Sequence, residues 1–397
     1  MAGALALLRD RPRFRALWAA LALSYTGSGA ALTALILYVQ QTRGTGTAVA
    51  ALLIAETVPR LLGPLAGSLA DRVDLRQLMI GADLGQAALF AALAFLPPFA
   101  AILALAALTS TLQTAYGPAR TVAVPALVED SELLQANSLT GVAANLFVGI
   151  GPLVGGALFA IGGAAAVMAL NTATFLLSAL LTRRIPALPP EQREQAGEAR
   201  EPFFASARTG LRYALANPVT RTITLTILFM FAFLSIDNVA LVFLVRDTLG
   251  GGAVAYGLIS AAFGAGMLVS SLGIMRGSDF GAPRLYLLGV GLSSLGALLT
   301  GFAPTLLLAA AIQLVCGGGN GIEIVAGDTA FQQGVPRHLL GRVYGLTSTA
   351  VGIGTGIAMV LGGFLVDATS PRIAFLVAGV GGLLVTAIAA PTLLRAR

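Results

Sequence analysis

Seven ionisable side chains lie inside long apolar runs of this sequence, where a charged group is costly. Placing a charge in hydrocarbon costs about 3 kcal/mol or more, so such residues are candidates for function. Carboxyl groups in this setting can carry protons or bind a substrate, and arginines can neutralise them. The seven residues are Glu56, Arg60, Asp83, Arg120, Asp237, Glu323 and Asp328.

Asp237 and Glu323 have no basic partner close by along the chain. The helical rise puts Glu323 roughly 20 Å from Pro336 and Asp237 roughly 13 Å from Arg246. A buried carboxyl group without a counter-charge favours its protonated form, which suits proton coupling. We expect both residues to couple protons or bind substrate; the alternative for each is a static hydrogen bond to a neighbouring helix.

Glu56 and Arg60 share one face of a helix because they are four residues apart. They lie near the middle of a hydrocarbon core roughly 30 Å thick. Two interpretations stay open. Either the two charges neutralise each other, or another group competes for Arg60 and leaves Glu56 free to exchange a proton.

Asp83 and Arg120 lie at similar depths, roughly 10 and 13 Å from the inner ends of their helices. The shared depth predicts an ion pair that supports the loop around Asp71, either as a fixed contact or as a gate that breaks during transport. Asp328 occupies the position equivalent to Arg120 in the second half of the chain. From there its carboxylate can pair with the Arg120 guanidinium.

The composition excludes an ordinary water-soluble domain. Apolar residues make up 57% of the chain, charged residues 11%, and the mean hydropathy is +0.87, whereas soluble domains contain about 25% charged residues. A spanning helix needs about 20 mostly apolar residues, so we predict an all-α membrane protein with twelve transmembrane helices. The predicted spans are residues 14–40, 47–70, 77–96, 99–125, 134–161, 164–182, 219–245, 254–275, 284–302, 305–332, 342–366 and 373–394.

The basic residues are unevenly distributed over the predicted loops. All 24 are arginine, and most fall on the side of the N terminus and of the central segment. Because positively charged loops remain in the cytoplasm, both termini are expected there, and the first span is expected to be retained. The net charge of +6 therefore reflects topology, and no nucleic-acid partner is expected.

Two stretches of the first half return in the second half. Residues 133–140 resemble 340–347, and residues 71–76 resemble 279–284. Duplicated membrane halves are typical of transporters that hold a binding site between the copies. The predicted parts are a six-helix bundle over 1–182, a cytoplasmic linker with an amphipathic helix over 183–218, and a second six-helix bundle over 219–397.

The sequence does not indicate metal or redox chemistry. The chain contains one cysteine, Cys316, and one histidine, His338, and a single cysteine forms neither an internal disulfide nor a metal cluster. No phosphate loop, nucleophile elbow or zinc-binding spacing is present. We expect no cofactor, no metal and no enzymatic activity.

The loop after the second predicted span contains Gly67, the pair Asp71 and Arg72, and a later basic residue, Arg76. This pattern resembles the signature loop of the major facilitator superfamily (MFS). In that family the loop holds the inner ends of helices closed. Asp74 stands where the general pattern has Gly, as in bacterial exporters that resemble the enterobactin and macrolide exporters. The resemblance implies the MFS fold of two pseudo-symmetric six-helix bundles, with helices one, four, seven and ten lining a cavity. The expected inner gate comprises Gly67, Asp71, Arg72, Asp74, Arg76, Asp83, Arg120 and Asp328.

A motif in the fifth predicted span is similar to the antiporter motif of drug-exporting members. It consists of Gly151, Pro152, Gly155 and Gly156. Proline removes a backbone hydrogen bond and glycines permit close helix contact, so we expect a bend here. The resemblance favours export over import.

Polar and aromatic residues in the cavity-lining spans complete the expected binding site. Aromatic and amide side chains among aliphatic ones suit an amphipathic organic molecule, and ordinary packing is the competing interpretation for each. These residues are Tyr25, Tyr38, Gln113, Asn145, Phe231, Phe233, Asn238, Gln313 and Asn320.

The sequence thus predicts a monomeric, proton-coupled exporter in the bacterial inner membrane. Its partners would be protons, the lipid bilayer and an amphipathic small molecule, such as a drug, a macrolide-like compound or a siderophore, moved by alternating access. Two alternatives stay open. One is a lysophospholipid flippase, which the residues around Arg120 and Asn137 resemble; the other is a membrane receptor or scaffold that does not transport.

Overall fold

The structure is a computed structural model that describes residues 7–62, 73–189, 212, 216–274, 281–335 and 337–395. Helices are the regular elements of these residues. The first half contains α1 (Pro12–Arg43), α2 (Gly46–Thr57), α3 (Leu75–Ala94), α4 (Phe99–Ala123), α5 (Leu133–Asn145) and α6 (Ile150–Thr182). The second half contains α7 (Pro218–Leu234), α8 (Asp237–Phe243), α9 (Ala253–Ile274), α10 (Ala282–Phe302), α11 (Leu306–Gly334), α12 (Arg337–Ala368) and α13 (Pro371–Arg395).

The helices have the length and composition of membrane spans. Nine helical stretches in the described residues can cross a bilayer on these criteria. The predicted second span, 47–70, is described only as far as Leu62, where α2 continues into the 3-10 helix Val58–Leu62. The all-helical membrane class is therefore confirmed, while the count of twelve spans and the side on which the termini lie stay predictions.

Contacts divide the chain into two compact units. The first unit comprises Met1–Tyr38 and Leu52–Glu198, and the second comprises Val39–Ala51 and Ala199–Arg397. The end of α1 and the first half of α2 therefore group with the second unit. The domain boundaries inferred from the sequence stay a prediction, and most of the 183–218 linker, including its predicted amphipathic helix, lies outside the described residues.

One glycine separates two spans within a continuous apolar stretch. Gln135–Thr182 contains 48 residues, about twice what one crossing needs. Gly163 interrupts it with φ 69° and ψ −171°, a conformation that glycine adopts at little cost because it lacks a Cβ atom. The break falls between the predicted spans 134–161 and 164–182.

The motif with the expected bend forms a contact face for α1. Residues 146–149 form turns between α5 and α6, so the helical interruption lies just before Gly151, and Pro152 falls in the first turn of α6, where a missing N–H is tolerated. A Cβ atom on Gly151 would lie 2.7 Å from the Cα of Gly29 on α1. Backbone therefore packs on backbone here, as small residues allow in membranes.

The second unit uses the same kind of contact around α11. A Cβ atom on Gly317 would lie 1.9 Å from the carbonyl oxygen of Phe263 on α9, and one on Gly289 of α10 would lie 2.5 Å from the backbone nitrogen of Glu323. In lipid no hydrophobic effect drives helices together, so close backbone approach supplies van der Waals contact instead. These contacts fix the faces that α11 presents to α9 and α10.

Two residues of the expected inner gate join α3 to the chain that follows α6. Asp74 accepts a hydrogen bond from the backbone N–H of Gln77 at 3.0 Å and caps α3, and it also accepts from the N–H of Leu188 at 2.9 Å. Arg76 donates to the carbonyl oxygen of Arg183 at 2.8 Å. An N-cap carboxylate satisfies amide groups that a helix start leaves free, which gives Asp74 a structural reason to replace the family's glycine.

The first prediction concerns the break at Gly163. Gly163→Ala should lower the free energy of unfolding by about 1–2 kcal/mol, because alanine pays a steric cost at positive φ. Gly141→Ala is the matched control: Gly141 lies within α5, has no atom near the position of an added Cβ, and its replacement should be neutral or stabilising. Thermal unfolding in detergent measures both. Equal melting temperatures for the two variants would contradict the assignment of strain to Gly163.

Candidate functional site

A pocket in the first unit is lined by residues of α1, α2, α3 and α4 and of the turns after α5. Together with the solvent it opens to, it contains about 350 Å³ of space not filled by protein atoms. Hydroxyl, amide and charged groups alternate with aliphatic and aromatic side chains around it. The lining residues are Ser28, Leu32, Leu35, Glu56, Arg60, Gln86, Phe90, Thr109, Gln113 and Phe147.

The predicted pair Glu56 and Arg60 lies in this pocket, but the two side chains do not form an ion pair. The α-helix ends at Thr57, and Arg60 belongs to the 3-10 helix that follows. The tighter winding changes the spacing expected for residues four apart on an α-helix. Arg60 is exposed and Glu56 half-buried, so the interpretation of a self-contained ion pair is corrected: Arg60 acts on Glu56 only through space.

Neighbouring helices hold the Glu56 end of the pocket in place. The Ser110 hydroxyl on α4 donates to the Glu56 backbone carbonyl at 2.6 Å. Thr109, next to Ser110, lies close enough to hydrogen-bond the Glu56 side chain. Gln113, one turn further along α4, adds an amide to the same wall. The Glu56 carboxyl group therefore lies among polar groups that neighbouring helices hold in place, with Arg60 nearby but not bonded to it.

Sequence reasoning missed several residues of this pocket. Gln86 is 3% exposed and Phe90 5% exposed on α3, and both line the pocket together with Ser28, Thr109 and Phe147. The available signal was the presence of polar residues in apolar spans. Gln86 follows Asp83 by three residues, and this spacing places both on one face of α3.

The two acids of the second unit lie apart from this pocket. Asp237 is half-buried at the start of α8, directly after the helix breaks at Ser235 and Ile236. Glu323 is 5% exposed on α11, near Asn320. Both carboxyl groups lie within electrostatic reach of the buried Cys316. They therefore belong to one region of the second unit.

Four of the expected cavity residues make contacts of a structural kind instead. Gln313 is 1% exposed and donates to Thr300 on α10 at 3.5 Å, and Asn238 donates to the backbone carbonyl of Ser235. Phe231 packs near Gly354 of α12, and the Phe233 ring fills the space beside Gly381 of α13. Gln313 is thus buried by helix packing, whereas Asn238 is exposed and the two phenylalanines are half-buried, so the cavity role of these three stays a prediction.

The predicted ion pair between Asp83 and Arg120 is also wrong. Asp83 is fully buried and accepts a hydrogen bond from Ser178 of α6 at 2.7 Å. Arg120 donates to the hydroxyl of Tyr25 on α1, and its guanidinium lies 5.8 Å from the centre of that ring. Rotation about each helix axis, which helical rise alone does not predict, points the two side chains to different neighbours.

For the remaining predicted residues, the structure gives a position and an exposure, and their roles stay predictions. Gly67, Asp71 and Arg72 lie outside the described residues. Asp328 is exposed, and it interacts with other residues of the chain. Three expected cavity residues are half-buried: Tyr38, Asn145 and Asn320. Among the described residues, no three histidine, cysteine or acidic side chains lie close enough together to hold a metal ion.

A polar contact in the second unit joins positions equivalent in the two repeats. The Gln40 amide at the end of α1 donates to Asp247 at 2.9 Å, and the residues are 207 positions apart. With the Gln41 amide oriented so that its oxygen faces Arg246, that oxygen accepts hydrogen bonds from both terminal guanidinium nitrogens at 3.0 and 3.1 Å. The bond between Gln40 and Asp247 thus matches the repeat offset of the sequence, whereas Gln41 and Arg246 do not occupy equivalent positions.

A carboxylate from α12 binds the start of α2 beside this contact. Asp367 accepts hydrogen bonds from the backbone N–H groups of Gly46 and Thr47, the latter at 3.0 Å. A helix start carries free N–H groups and a partial positive charge, so a carboxylate is a favourable partner. Sequence analysis found none of this contact, since its partners are more than 300 residues apart.

Comparisons with known proteins agree with this architecture. The model of a family described as transmembrane secretion effector, MFS_3, matches residues 2–396. The MFS-type transporter YfiS of Bacillus subtilis is 27% identical over 327 residues, which cover 80% of this chain and 78% of the relative. The enterobactin exporter EntS of Shigella boydii is 29% identical over 269 residues. That alignment covers 66% of this chain and 62% of the exporter, less than two thirds of its length.

Solved transporter structures share the fold. The nucleoside transporter NupG superposes with a TM-score of 0.77 at 13% identity, covering 97% of this chain and all of that structure (100%). A bacterial homologue of the iron transporter ferroportin gives a TM-score of 0.75 at 15% identity, with 97% and 99% covered. At such identities the likeness concerns the fold alone. Because the family model spans almost the whole chain, the protein is a membrane transporter and not an enzyme, and it belongs to the transmembrane secretion effector family of the major facilitator superfamily.

Proposed function

We propose that the protein is a proton-coupled exporter of amphipathic small molecules, working by alternating access in the bacterial inner membrane. The observation that carries the proposal is the pocket around Glu56 and Arg60, in which a carboxyl group without an ion-pair partner faces polar and aromatic groups. The exporter among the relatives supports the direction of transport. Both termini are placed in the cytoplasm on the arginine distribution.

The pocket has the mixed lining that an amphipathic molecule needs. Leu32, Leu35, Phe90 and Phe147 offer apolar contact, while the amides and hydroxyls offer directed hydrogen bonds. A few polar groups in an apolar wall orient a ligand without requiring a single chemical identity. We therefore propose a cargo with an extended apolar body and a polar or charged group directed at the Glu56 side of the pocket.

Glu56 is proposed to exchange its proton against cargo. Its carboxyl group is within the electrostatic influence of Arg60 but is not bonded to it. A cargo that binds beside Glu56 favours one protonation state over the other, and by linkage the proton then favours or disfavours the cargo to the same degree. Asp237 and Glu323 remain proposals for a second coupling step in the other unit.

The contacts of Gln40, Asp247 and Asp367 are proposed to act as the outer closure. They hold the end of α1 against the short π-helix Leu244–Thr248, which contains Asp247, and the start of α2 against α12. Each is a hydrogen bond near the ends of spans, where it can be exchanged for water at small cost. We propose that these bonds break when the transporter opens outward.

Replacement of Glu56 tests the coupling step. In inside-out vesicles with an acidic interior, a transported compound should dissipate the pH gradient, and Glu56→Gln should reduce this response at least about tenfold because the exchangeable proton is removed. The panel contains cationic dyes, macrolides, catechol siderophores and labelled lysophospholipids. Asp10→Asn, which changes an exposed acid beside Arg9, is the control and should respond as the wild type does.

Two outcomes of this experiment would overturn the proposal. Crossing of labelled lysophospholipid without any response of the gradient would favour the flippase. Silence of wild type and variant towards every compound would favour the receptor or scaffold. A full response of Glu56→Gln would move the coupling step to Asp237 or Glu323.

Replacement of Asp367 tests the outer closure. Asp367→Asn should raise the open population about tenfold, because charge-assisted hydrogen bonds contribute about 1.5–3 kcal/mol and an amide replaces them poorly. Spin labels at positions 45 and 369 report the separation by pulsed electron resonance. Asp247→Asn should give a smaller change, because one amide oxygen can still accept the single bond from Gln40, whereas Asp367 accepts with both carboxylate oxygens. An unchanged distance distribution in Asp367→Asn would refute this role.

A further inference from the structure

A cluster of four oxygen-bearing side chains lies within the first unit, away from the pocket wall. Asp83 of α3 is 0% exposed and accepts from the hydroxyl of Ser178 at 2.7 Å. Thr182, one turn beyond Ser178 on α6, is also 0% exposed, and Tyr116 of α4 is 7% exposed. The cluster therefore joins three helices, and each of its members is more than nine-tenths buried.

Within the described part of the chain, three polar atoms of this cluster have no hydrogen-bond partner. They are Oδ1 of Asp83, the hydroxyl of Tyr116 and Oγ1 of Thr182. The Tyr116 hydroxyl lies near the side chains of Ser178 and Thr182 and within electrostatic reach of Asp83. Buried polar atoms are nearly always satisfied, so three unsatisfied atoms turned towards one another indicate that a further species belongs between them.

Among the residues that the structure describes, no arginine forms an ion pair with Asp83. Its carboxyl group is fully buried and accepts a hydrogen bond from Ser178. Arg76 on the same helix donates to the Arg183 carbonyl, and Arg120 on α4 donates to Tyr25. An ionised Asp83 is thus a buried anion without a counter-charge, which is a costly state in a membrane protein.

We propose that Asp83, Tyr116, Ser178 and Thr182 form a binding site for a monovalent cation, Na⁺. All four ligands offer oxygen, which hard cations prefer. One carboxylate balances one positive charge, whereas a divalent ion would leave an excess charge in the buried site. A proton on Oδ1, donated to one of the two hydroxyl oxygens, is the competing occupant of the cluster, and the measurements below distinguish it from Na⁺.

The site would affect the pocket through α3. Gln86 lines the pocket and lies three residues beyond Asp83, on the same face of the helix. A cation that binds α3, α4 and α6 together would hold this part of the first unit in one arrangement. The cation site itself does not depend on what the pocket transports.

The experiment measures cation-dependent stability of the full-length protein in detergent. Melting temperatures are compared in NaCl, KCl and choline chloride at equal ionic strength, at pH 6 and pH 8. Na⁺ should raise the melting temperature by at least about 2 °C over choline, because a ligand of the folded state stabilises it by mass action. Binding of ²²Na⁺ by equilibrium dialysis should give about one ion per chain.

Variants separate the site from a general salt effect. Asp83→Asn and Thr182→Val should each lower ²²Na⁺ affinity at least tenfold and abolish the difference between NaCl and choline. Thr172→Val is the matched control on the same helix: the Thr172 hydroxyl donates to the Met168 carbonyl and not to the cluster, so Na⁺ dependence should persist. Thr182→Val keeps the charge and shape of the site, so it remains informative if Asp83→Asn fails to fold.

Other results would overturn the proposal. A melting temperature that depends on pH but not on Na⁺, and that loses this dependence in Asp83→Asn, would mean that the cluster holds a proton. Absence of both dependences, with no bound ²²Na⁺, would mean that water alone fills the cluster. Equal stabilisation by NaCl and KCl with no loss in Thr182→Val would indicate a nonspecific salt effect.

Discussion

The lack of water in the bilayer is the constraint on which the rest of this structure depends. A polar group in hydrocarbon has to find its partner within the chain, and this requirement leaves helices as the means of crossing. It also gives each buried polar side chain a specific contact. Asp74 caps α3, Ser178 donates to Asp83, and Gln313 turns to Thr300. The proposed cation site lies where described polar atoms, such as Oδ1 of Asp83, have no protein partner.

Glycine contacts determine which helix faces meet. Gly29 against Gly151 in the first unit and Gly317 against Phe263 in the second bring backbones close enough that any Cβ atom would collide. Such faces are smooth, and smooth faces allow helices to shift past one another without unlocking large side chains. Packing and the proposed motion therefore draw on the same residues, which explains why the antiporter-like motif combines glycine with proline near the interruption between α5 and α6.

The two halves share their helical plan but not their chemistry. The first unit holds a pocket with a glutamate and an arginine, while the second holds Asp237 and Glu323 around Cys316. The contact of Gln40 with Asp247 shows the same divergence at one pair of repeat-equivalent positions, since an amide in one copy meets a carboxylate in the other. Two carboxylates at these positions would repel, whereas an amide and a carboxylate form a hydrogen bond.

Sequence alone determined the class of this protein, because apolar content, span length and repeats depend on local composition and not on packing. It also placed Glu56, Arg60 and Gln113 among the candidates from which the pocket is built, since a polar residue in an apolar span is conspicuous. Tertiary structure decided the partners. Helical rise gives the depth of Asp83 and Arg120, but rotation about the helix axis and the neighbouring helices decide that one meets Ser178 and the other Tyr25. The bonds of Asp367 with Gly46 and Thr47, across more than 300 residues, likewise exist only because the folded chain brings distant segments together.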